Sequence, residues 1–237
     1  MLKRSLIKLL LISLVVLSTS FHAMATEHVV VLHGILRSSK HMKPLAKQLE
    51  QAGYVVHNLD YPSTEHTIGC LAEQLHETII SNTQSVQKVH FVGYSMGGLV
   101  LRAYLNQHKP NNLGYVLHLA TPNKGSEVAD WLQQNWLYQK FYGIAGQELT
   151  TDQSDHLQNT LGTINYPLGV IAGNSSIEPI SSHKIPGDDD GKVSIESTKI
   201  QGMQDHIVVG ASHTFFPSNQ QVIAQTLHFL KQGVFKH

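Results

Sequence analysis

Apolar and polar positions form two kinds of pattern along this chain. Short apolar runs, typical of buried parallel strands, occur at residues 27–32, 54–61, 88–94, 114–120, 167–172 and 207–209. Segments with apolar residues three or four positions apart, typical of helices, occupy 39–52, 68–80, 96–107 and 218–233, where Ser218 and Gln221 suggest a capping box. Strands that alternate with helices predict an α/β fold, with a mostly parallel sheet flanked by helices.

One strand-to-helix junction has an unusual composition. The strand at 88–94 runs into the hexapeptide GYSMGG at 93–98, and a helical pattern begins immediately after it. A turn this tight would force Ser95 into strained backbone angles and would leave no room for a Cβ at the neighbouring glycines. Ser95 is therefore a candidate nucleophile at the carboxyl edge of the sheet, and the alternative is a glycine-rich turn with an incidental serine.

Two further stretches could complete a site around Ser95. The acidic loop PGDDDGKV at 186–193 offers three adjacent carboxylates; Asp190 directly precedes a glycine and is preferred over Asp188 and Asp189. A solvated turn or a calcium loop is the alternative for these residues. His213 follows the last strand, whereas His206 lies at its start and would stand at the opposite end of the sheet. The chain order serine, acid, histidine matches one known arrangement of a catalytic triad.

Composition and the N-terminus restrict the biological setting. Lysine plus arginine and aspartate plus glutamate each number 17, so no basic field for nucleic acid is expected. Residues 1–25 have a basic start, a short apolar stretch and a small-residue cleavage site, which predict a secretory signal peptide and a periplasmic or extracellular protein. Residues 26–237 would then form one domain. The only cysteine, Cys70, is expected to be a buried, inert thiol.

Taken together, these motifs resemble the α/β-hydrolase superfamily and, within it, small bacterial lipases and esterases. The resemblance rests on HGILRSS at 33–39, GYSMGG at 93–98, TPNKGS at 121–126, DGKV at 190–193 and SHTF at 212–215, which occur in the family's order. It implies catalysis by Ser95, Asp190 and His213 without a cofactor or metal, and an oxyanion hole formed by the N–H groups of Ile35 and Met96. The usual first hairpin of larger members has no counterpart in this sequence.

The segment at about 127–165 interrupts the strand and helix pattern and resembles a small cap or lid insertion. Its aromatic residues could line an acyl site or contact a lipid surface transiently, and Trp131, Trp136 and Phe141 are the candidates for substrate binding. The expected activity is cleavage of carboxylic esters, with lipid-like acyl chains favoured. An amidase, thioesterase or acyltransferase would use the same residues, and a non-catalytic binding protein or a metallohydrolase are alternatives of a different class.

Overall fold

The structure is a computed structural model and describes residues 26–237. The predicted signal peptide at 1–25 lies outside the described residues. Across the described part of the chain, none of the helices combines the length and apolar character required to span a bilayer.

Residues 26–237 contain a six-stranded sheet in which all strands are parallel. The strand order is β2-β1-β3-β4-β5-β6. The strands are β1 (His28–Leu32), β2 (Val55–Leu59), β3 (Val89–Tyr94), β4 (Leu113–Leu119), β5 (Leu168–Gly173) and β6 (Asp205–Val209). Each lies where an apolar run predicted it, because strands covered on both faces need continuous apolar sequence. The predicted α/β class is therefore confirmed.

Helices cover both faces of the sheet. The helices are α1 (Ser39–Gln51), α2 (Ile68–Gln74), α3 (His76–Thr83), α4 (Met96–His108), α5 (Glu127–Leu132), α6 (Trp136–Gln147), α7 (Asp155–Leu161), α8 (Pro179–Ser182), α9 (Ile195–Thr198) and α10 (Gln220–Gln232), and a 3₁₀ helix spans His213–Ser218. The apolar residues of α1 and α10 pack on one face of the sheet, and those of α2, α3, α4 and α7 pack on the other. Helices α5, α6 and α7 lie between β4 and β5, within the segment predicted as a cap.

Three local expectations were wrong. The predicted helix at 68–80 is divided at Leu75 into α2 and α3. The cap of α10 is Asn219 rather than Ser218: the Asn219 side chain accepts hydrogen bonds from the first turn of α10, while the Ser218 hydroxyl donates to the Phe215 carbonyl inside the 3₁₀ helix. Cys70 is exposed because the buried stripe of α2 runs through Ile68, Leu71 and Ala72, and position 70 falls outside it.

The strand order determines where a site can form. The chain enters at β1, places β2 on one side and then crosses to place β3 on the other. Loops that leave β1 and β3 therefore diverge to opposite faces, and a crevice opens between the carboxyl ends of these two strands. Ser95 follows β3 and the turn at 33–35 follows β1, so both lie at this crevice.

Candidate active site

The turn after β3 holds Ser95 in the strained conformation that the sequence predicts. Ser95 has φ 54° and ψ −127°, a region that residues with a Cβ rarely adopt. A Cβ on Gly93 would lie 2.6 Å from the backbone of Gly98, and one on Gly97 would lie 2.5 Å from the carbonyl oxygen of His33. The glycines thus allow strand, turn and helix to pack closely enough to present the Ser95 side chain at the sheet edge.

Ser95, His213 and Asp190 form a continuous chain of hydrogen bonds. The His213 Nε2 atom is 3.0 Å from Ser95 Oγ, and its Nδ1 atom is 2.7 Å from Asp190 Oδ2. The backbone also ties the histidine to the acid, since the His213 N–H donates to the Asp190 carbonyl. This geometry suits a serine that is deprotonated by a histidine whose orientation a carboxylate fixes.

The acidic loop gives its three aspartates different surroundings. Asp190 is buried, and its Oδ1 atom accepts hydrogen bonds from the N–H groups of Lys192 and Val193. Asp189 instead accepts from the Ser182 hydroxyl and from the Gly191 N–H, so it shapes the turn. The Asp188 side chain is exposed. Of the three carboxylates, the structure brings only Asp190 to His213.

His206, the rival histidine, lies near the start of β6, away from Ser95. Its Nε2 atom is 3.0 Å from the hydroxyl of Thr198. Burial lowers the pKa of His206, so its ring is held neutral in a structural hydrogen bond.

The turn at 33–35 packs directly against Ser95. A Cβ on Gly34 would lie 3.0 Å from Ser95 Cβ, which shows how closely the two segments approach. Among the described residues, the Ile35 N–H donates to no backbone or side-chain acceptor, and the Met96 N–H lies in the first turn of α4, where a helix offers no partner. Both groups are therefore free to act as donors beside the serine.

Backbone strain is concentrated at this edge of the sheet. Within residues 26–237, the non-glycine residues with positive φ are Leu36, Ser95 and Ala120. They follow β1, β3 and β4 respectively, so each lies just beyond the carboxyl end of a neighbouring strand. Strained residues of this kind persist where the surrounding structure over-determines them, and they cluster at functional sites.

A cavity of about 260 Å³ opens beside Ser95 and His213. Its apolar wall comes from α5, α6 and the segments around them: Val128, Ala129, Tyr138, Tyr142, Leu149 and Val193. Arg37 and Lys192 contribute charged side chains to its rim. The cavity combines an apolar chamber with a few convergent polar groups, as small-molecule sites generally do.

The aromatic side chains at this cavity differ from the expected ones. Trp131, Trp136 and Phe141 do not line it. Trp131 borders an adjoining groove on α5 that shares Val128 and Lys192 with the cavity, and Trp136 and Phe141 are 66% and 57% exposed. Tyr138 and Tyr142 line it instead and stack on each other, with ring centroids 4.3 Å apart. Tyr138 and Tyr142 are separated by one helical turn and therefore lie on the same face of α6. Trp136 and Phe141 lie on other faces of this helix.

Tyr94 is a further residue of the site that sequence reasoning missed. Its hydroxyl donates to the carbonyl oxygen of His213 at 2.7 Å, and its ring lies 5.2 Å from the imidazole. Burial raises the pKa of Tyr94, so the hydroxyl keeps its proton and continues to donate. Its position between Gly93 and the predicted nucleophile Ser95 was the available signal. Among residues 26–237, no three histidine, cysteine or acidic side chains are grouped as metal ligands would be.

The sequence profile described as palmitoyl protein thioesterase matches residues 28–166, more than half of the chain. The chain belongs to the palmitoyl protein thioesterase family. Curated relatives include the lysosomal thioesterase PPT2 homolog of Drosophila melanogaster, 26% identical over 58% of this chain and 52% of its own length. Lysosomal thioesterase PPT2 of Homo sapiens is 29% identical over 54% of this chain and 47% of its own. The chain thus spans about half the length of the curated relatives it matches.

Solved structures show the same fold. The mature lipase BlEst2 of Bacillus licheniformis aligns with a TM-score of 0.69 and 24% identity, over 87% of this chain and 93% of that one. The metagenomic carboxyl esterase MGS0156 aligns with a TM-score of 0.66 and 15% identity, over 89% and 75%. The family match and the shared fold together confirm the α/β-hydrolase resemblance.

Proposed function

We propose that this protein is an exported serine hydrolase that cleaves acyl esters by way of an acyl-enzyme. Ser95 Oγ attacks the acyl carbonyl while His213 takes its proton. His213 then gives that proton to the leaving group as the bond to the carbonyl breaks, and water releases the acid by the reverse sequence. Asp190 orients His213, and the N–H groups of Ile35 and Met96 hold the oxyanion. The hydrogen-bonded chain from Ser95 through His213 to buried Asp190 carries this proposal.

The apolar cavity wall supports an acyl group with a hydrocarbon chain as the substrate. Each buried methylene gains about 0.8 kcal/mol, so specificity for chain length follows from how far the chain can extend along the wall. Exposed Trp136 and Phe141 would be available for transient contact with a lipid surface that carries such substrates.

A thioester is the second candidate substrate, because the chain belongs to a family named for palmitoyl protein thioesterase activity. The same nucleophile, base and oxyanion donors would act on it. A thiol leaving group also needs less help from the acid form of His213, since a thiol is far more acidic than an alcohol.

Two measurements test this function. A fluorophosphonate probe should label the wild-type protein covalently and leave Ser95→Ala unlabelled, because only the serine alkoxide attacks phosphorus. Hydrolysis of p-nitrophenyl esters and matched thioesters of increasing acyl length should identify the preferred bond and chain. Turnover of Ser95→Ala should fall by roughly 10⁴–10⁶-fold, the range for loss of a triad nucleophile. Labelling or turnover that survives in Ser95→Ala would remove this residue from the mechanism.

A further inference from the structure

A second cavity, of about 320 Å³, opens next to the catalytic one at the start of α1; we call it the α1 cleft. The residues that matter in it are Arg37, Lys40, His41, Thr214, Phe215 and Ser218. Arg37 and Thr214 line both this cleft and the cavity beside Ser95, so the two spaces meet at these side chains. The α1 cleft is therefore an extension of the catalytic cavity.

The α1 cleft is positively charged, unlike the apolar wall of the catalytic cavity. Arg37 and Lys40 have no carboxylate within salt-bridge distance among residues 26–237. Glu178 is paired with Lys192. Asp60 keeps its negative charge, which interacts with that of Lys40, but makes its hydrogen bonds to the Ser39 N–H and hydroxyl. Two cations thus stand beside an active site in a chain whose formal net charge is zero.

His41, the titratable histidine of the α1 cleft, adds no charge to that of Arg37 and Lys40. Burial lowers the pKa of His41 to about 4, and the positive charge of Arg37 contributes in the same direction. His41 is then uncharged at neutral pH, and the positive charge of the cleft comes from the exposed side chains of Arg37 and Lys40.

The catalytic chemistry determines which part of a substrate reaches this cleft. The leaving group must depart next to His213 Nε2, because that atom supplies its proton. Thr214 and Phe215 follow His213 directly and line the α1 cleft, whereas the apolar wall of α5 and α6 lies in the other cavity. The acyl chain would therefore lie along the apolar wall, and the outer part of the leaving group would extend into the α1 cleft.

We infer that the α1 cleft binds a phosphate group carried by the leaving group of the substrate. The guanidinium of Arg37 can bind two phosphate oxygens at once, and the Lys40 ammonium supplies a second cation for the remaining charge. This inference rests on the proposed function, since it assigns the cleft to the leaving-group side of the same reaction.

Two matched substrate pairs test it and distinguish two sources of phosphate. One pair is S-octanoyl-4′-phosphopantetheine and S-octanoylpantetheine, and the other is 1-octanoylglycerol 3-phosphate and 1-octanoylglycerol. Within each pair the acyl chain and the scissile bond are the same and only the phosphate differs. At low ionic strength the wild-type protein should prefer the phosphate-bearing member of at least one pair by roughly tenfold in kcat/KM. Added salt should weaken that preference by screening the exposed cations.

Variants locate the preference in the α1 cleft. Arg37→Gln should reduce it to about parity, and Lys40→Gln should reduce it roughly threefold, because the lysine ammonium cannot bind two phosphate oxygens in the fixed geometry of a guanidinium. Lys47→Gln, which removes an exposed lysine of the same helix outside the cleft, should leave it unchanged. The ratio within a pair is the readout, so a general loss of activity in a variant does not imitate the effect.

The outcomes are distinct. A preference confined to the phosphopantetheine pair assigns the phosphate to a thioester carrier, and one confined to the glycerol pair assigns it to a lipid headgroup. Hydrolysis without any phosphate preference, or a preference that survives in both Arg37→Gln and Lys40→Gln, overturns the inference and leaves the proposed function intact. Failure to hydrolyse any of the four compounds counts against the proposed function. Binding of the same pairs to Ser95→Ala then tests the cleft without chemistry.

Discussion

At the scale of single residues, Asp190 shows how the backbone selects one of three adjacent carboxylates. Its Oδ1 atom is occupied by two backbone N–H groups, which leaves only Oδ2 for His213. The carboxylate therefore cannot rotate without losing two hydrogen bonds. The imidazole it holds must carry its proton on Nδ1, and Nε2 is left free to accept the proton of Ser95.

Asp190→Asn should lower kcat severely, by up to about 10⁴-fold, as the equivalent change does in serine proteases. The asparagine oxygen would keep the two backbone N–H bonds, so its amide nitrogen would face His213 Nδ1 as a donor. That arrangement forces the proton of His213 onto Nε2, where it cannot accept from Ser95. The measurement is kcat on a soluble p-nitrophenyl ester, with the melting temperature as a check on folding.

Asp189→Asn is the matched control. An asparagine oxygen can still accept from Ser182 and Gly191, so we expect kcat to stay within about tenfold of wild type, the cost of losing a partly solvated charge. If Asp189→Asn were the impaired variant and Asp190→Asn were active, the acid would be assigned to the wrong position.

The residues around Ser95 were predictable because each is constrained by local chemistry. A tight turn needs glycines, and an acid and a histidine that follow successive strands meet at one sheet edge. Leu36 and Ala120 were not predictable, although they share the positive φ of Ser95. Neither residue type favours that conformation, and only the packing of neighbouring loops imposes it.

At the scale of elements, the helices between β4 and β5 were the hardest part to predict. Gly143 interrupts α6 with φ 60° and ψ −153°, and the N–H of Ile144 donates to the Thr64 carbonyl. The break ends the regular 3.6-residue period, so the segment after it faces a direction that periodicity does not give. Trp131, Trp136 and Phe141 all precede this break, so it does not account for their positions. The i, i+4 spacing of Tyr138 and Tyr142 was the available signal for the rings that line the cavity.

Tyr142→Ala should change the preferred acyl length on soluble p-nitrophenyl esters. Removal of this ring enlarges the cavity beside Ser95, and longer chains should gain relative to short ones by a few-fold in kcat/KM. Phe141→Ala, one residue away but exposed, should leave the acyl-length profile unchanged. An equal change in both variants would indicate a general disturbance of α6 and would contradict the assignment of Tyr142 to the cavity wall.

Helix α10 offers a second test at this scale. Asn219→Ala should lower the free energy of unfolding by about 1 kcal/mol, because the N–H groups of Gln221 and Val222 lose their acceptor. Ser218→Ala, which removes a single hydroxyl bond to the Phe215 carbonyl, should cost less. Urea denaturation of the two variants measures the difference, and a larger loss in Ser218→Ala would restore the cap position that the sequence suggested.

At the scale of the whole molecule, histidines are distributed through the core as neutral groups. The chain has 16 histidines, and burial lowers the pKa of several that make no contact with Ser95: His57, His90, His118 and His206. Their abundance made sequence alone a poor guide to which of them is catalytic. The fold separates them by position, since His213 alone among the histidines of residues 26–237 combines a partner carboxylate with Ser95.

His118 is the clearest case of a buried neutral ring. It lies on β4 and is fully buried, and its Nδ1 atom is 3.1 Å from Asn123 Oδ1. Burial lowers the pKa of His118 to about 3, and the positive charge of Arg102 adds to the effect. The unfolded chain, in contrast, binds a proton at this side chain near pH ~6.5.

The sign of the resulting pH dependence follows from proton counts. Between about pH 6.5 and the lowered pKa, the unfolded state holds a proton at His118 that the folded state does not. Stability is therefore fully present above pH ~6.5 and falls as the pH decreases, by up to about 1.4 kcal/mol per pH unit for such a group. We expect the free energy of unfolding from urea denaturation to drop by roughly 2 kcal/mol from His118 between pH 7.5 and 5.0.

His118→Gln should flatten this dependence, because glutamine does not titrate and can still donate to Asn123. The variant is expected to be less stable than the wild type at pH 7.5, since the amide fills the site less well, yet to lose less stability on acidification. His183→Gln, which replaces an exposed histidine, should keep the wild-type slope. Equal slopes in all three proteins would show that the pH dependence of folding arises from groups other than His118.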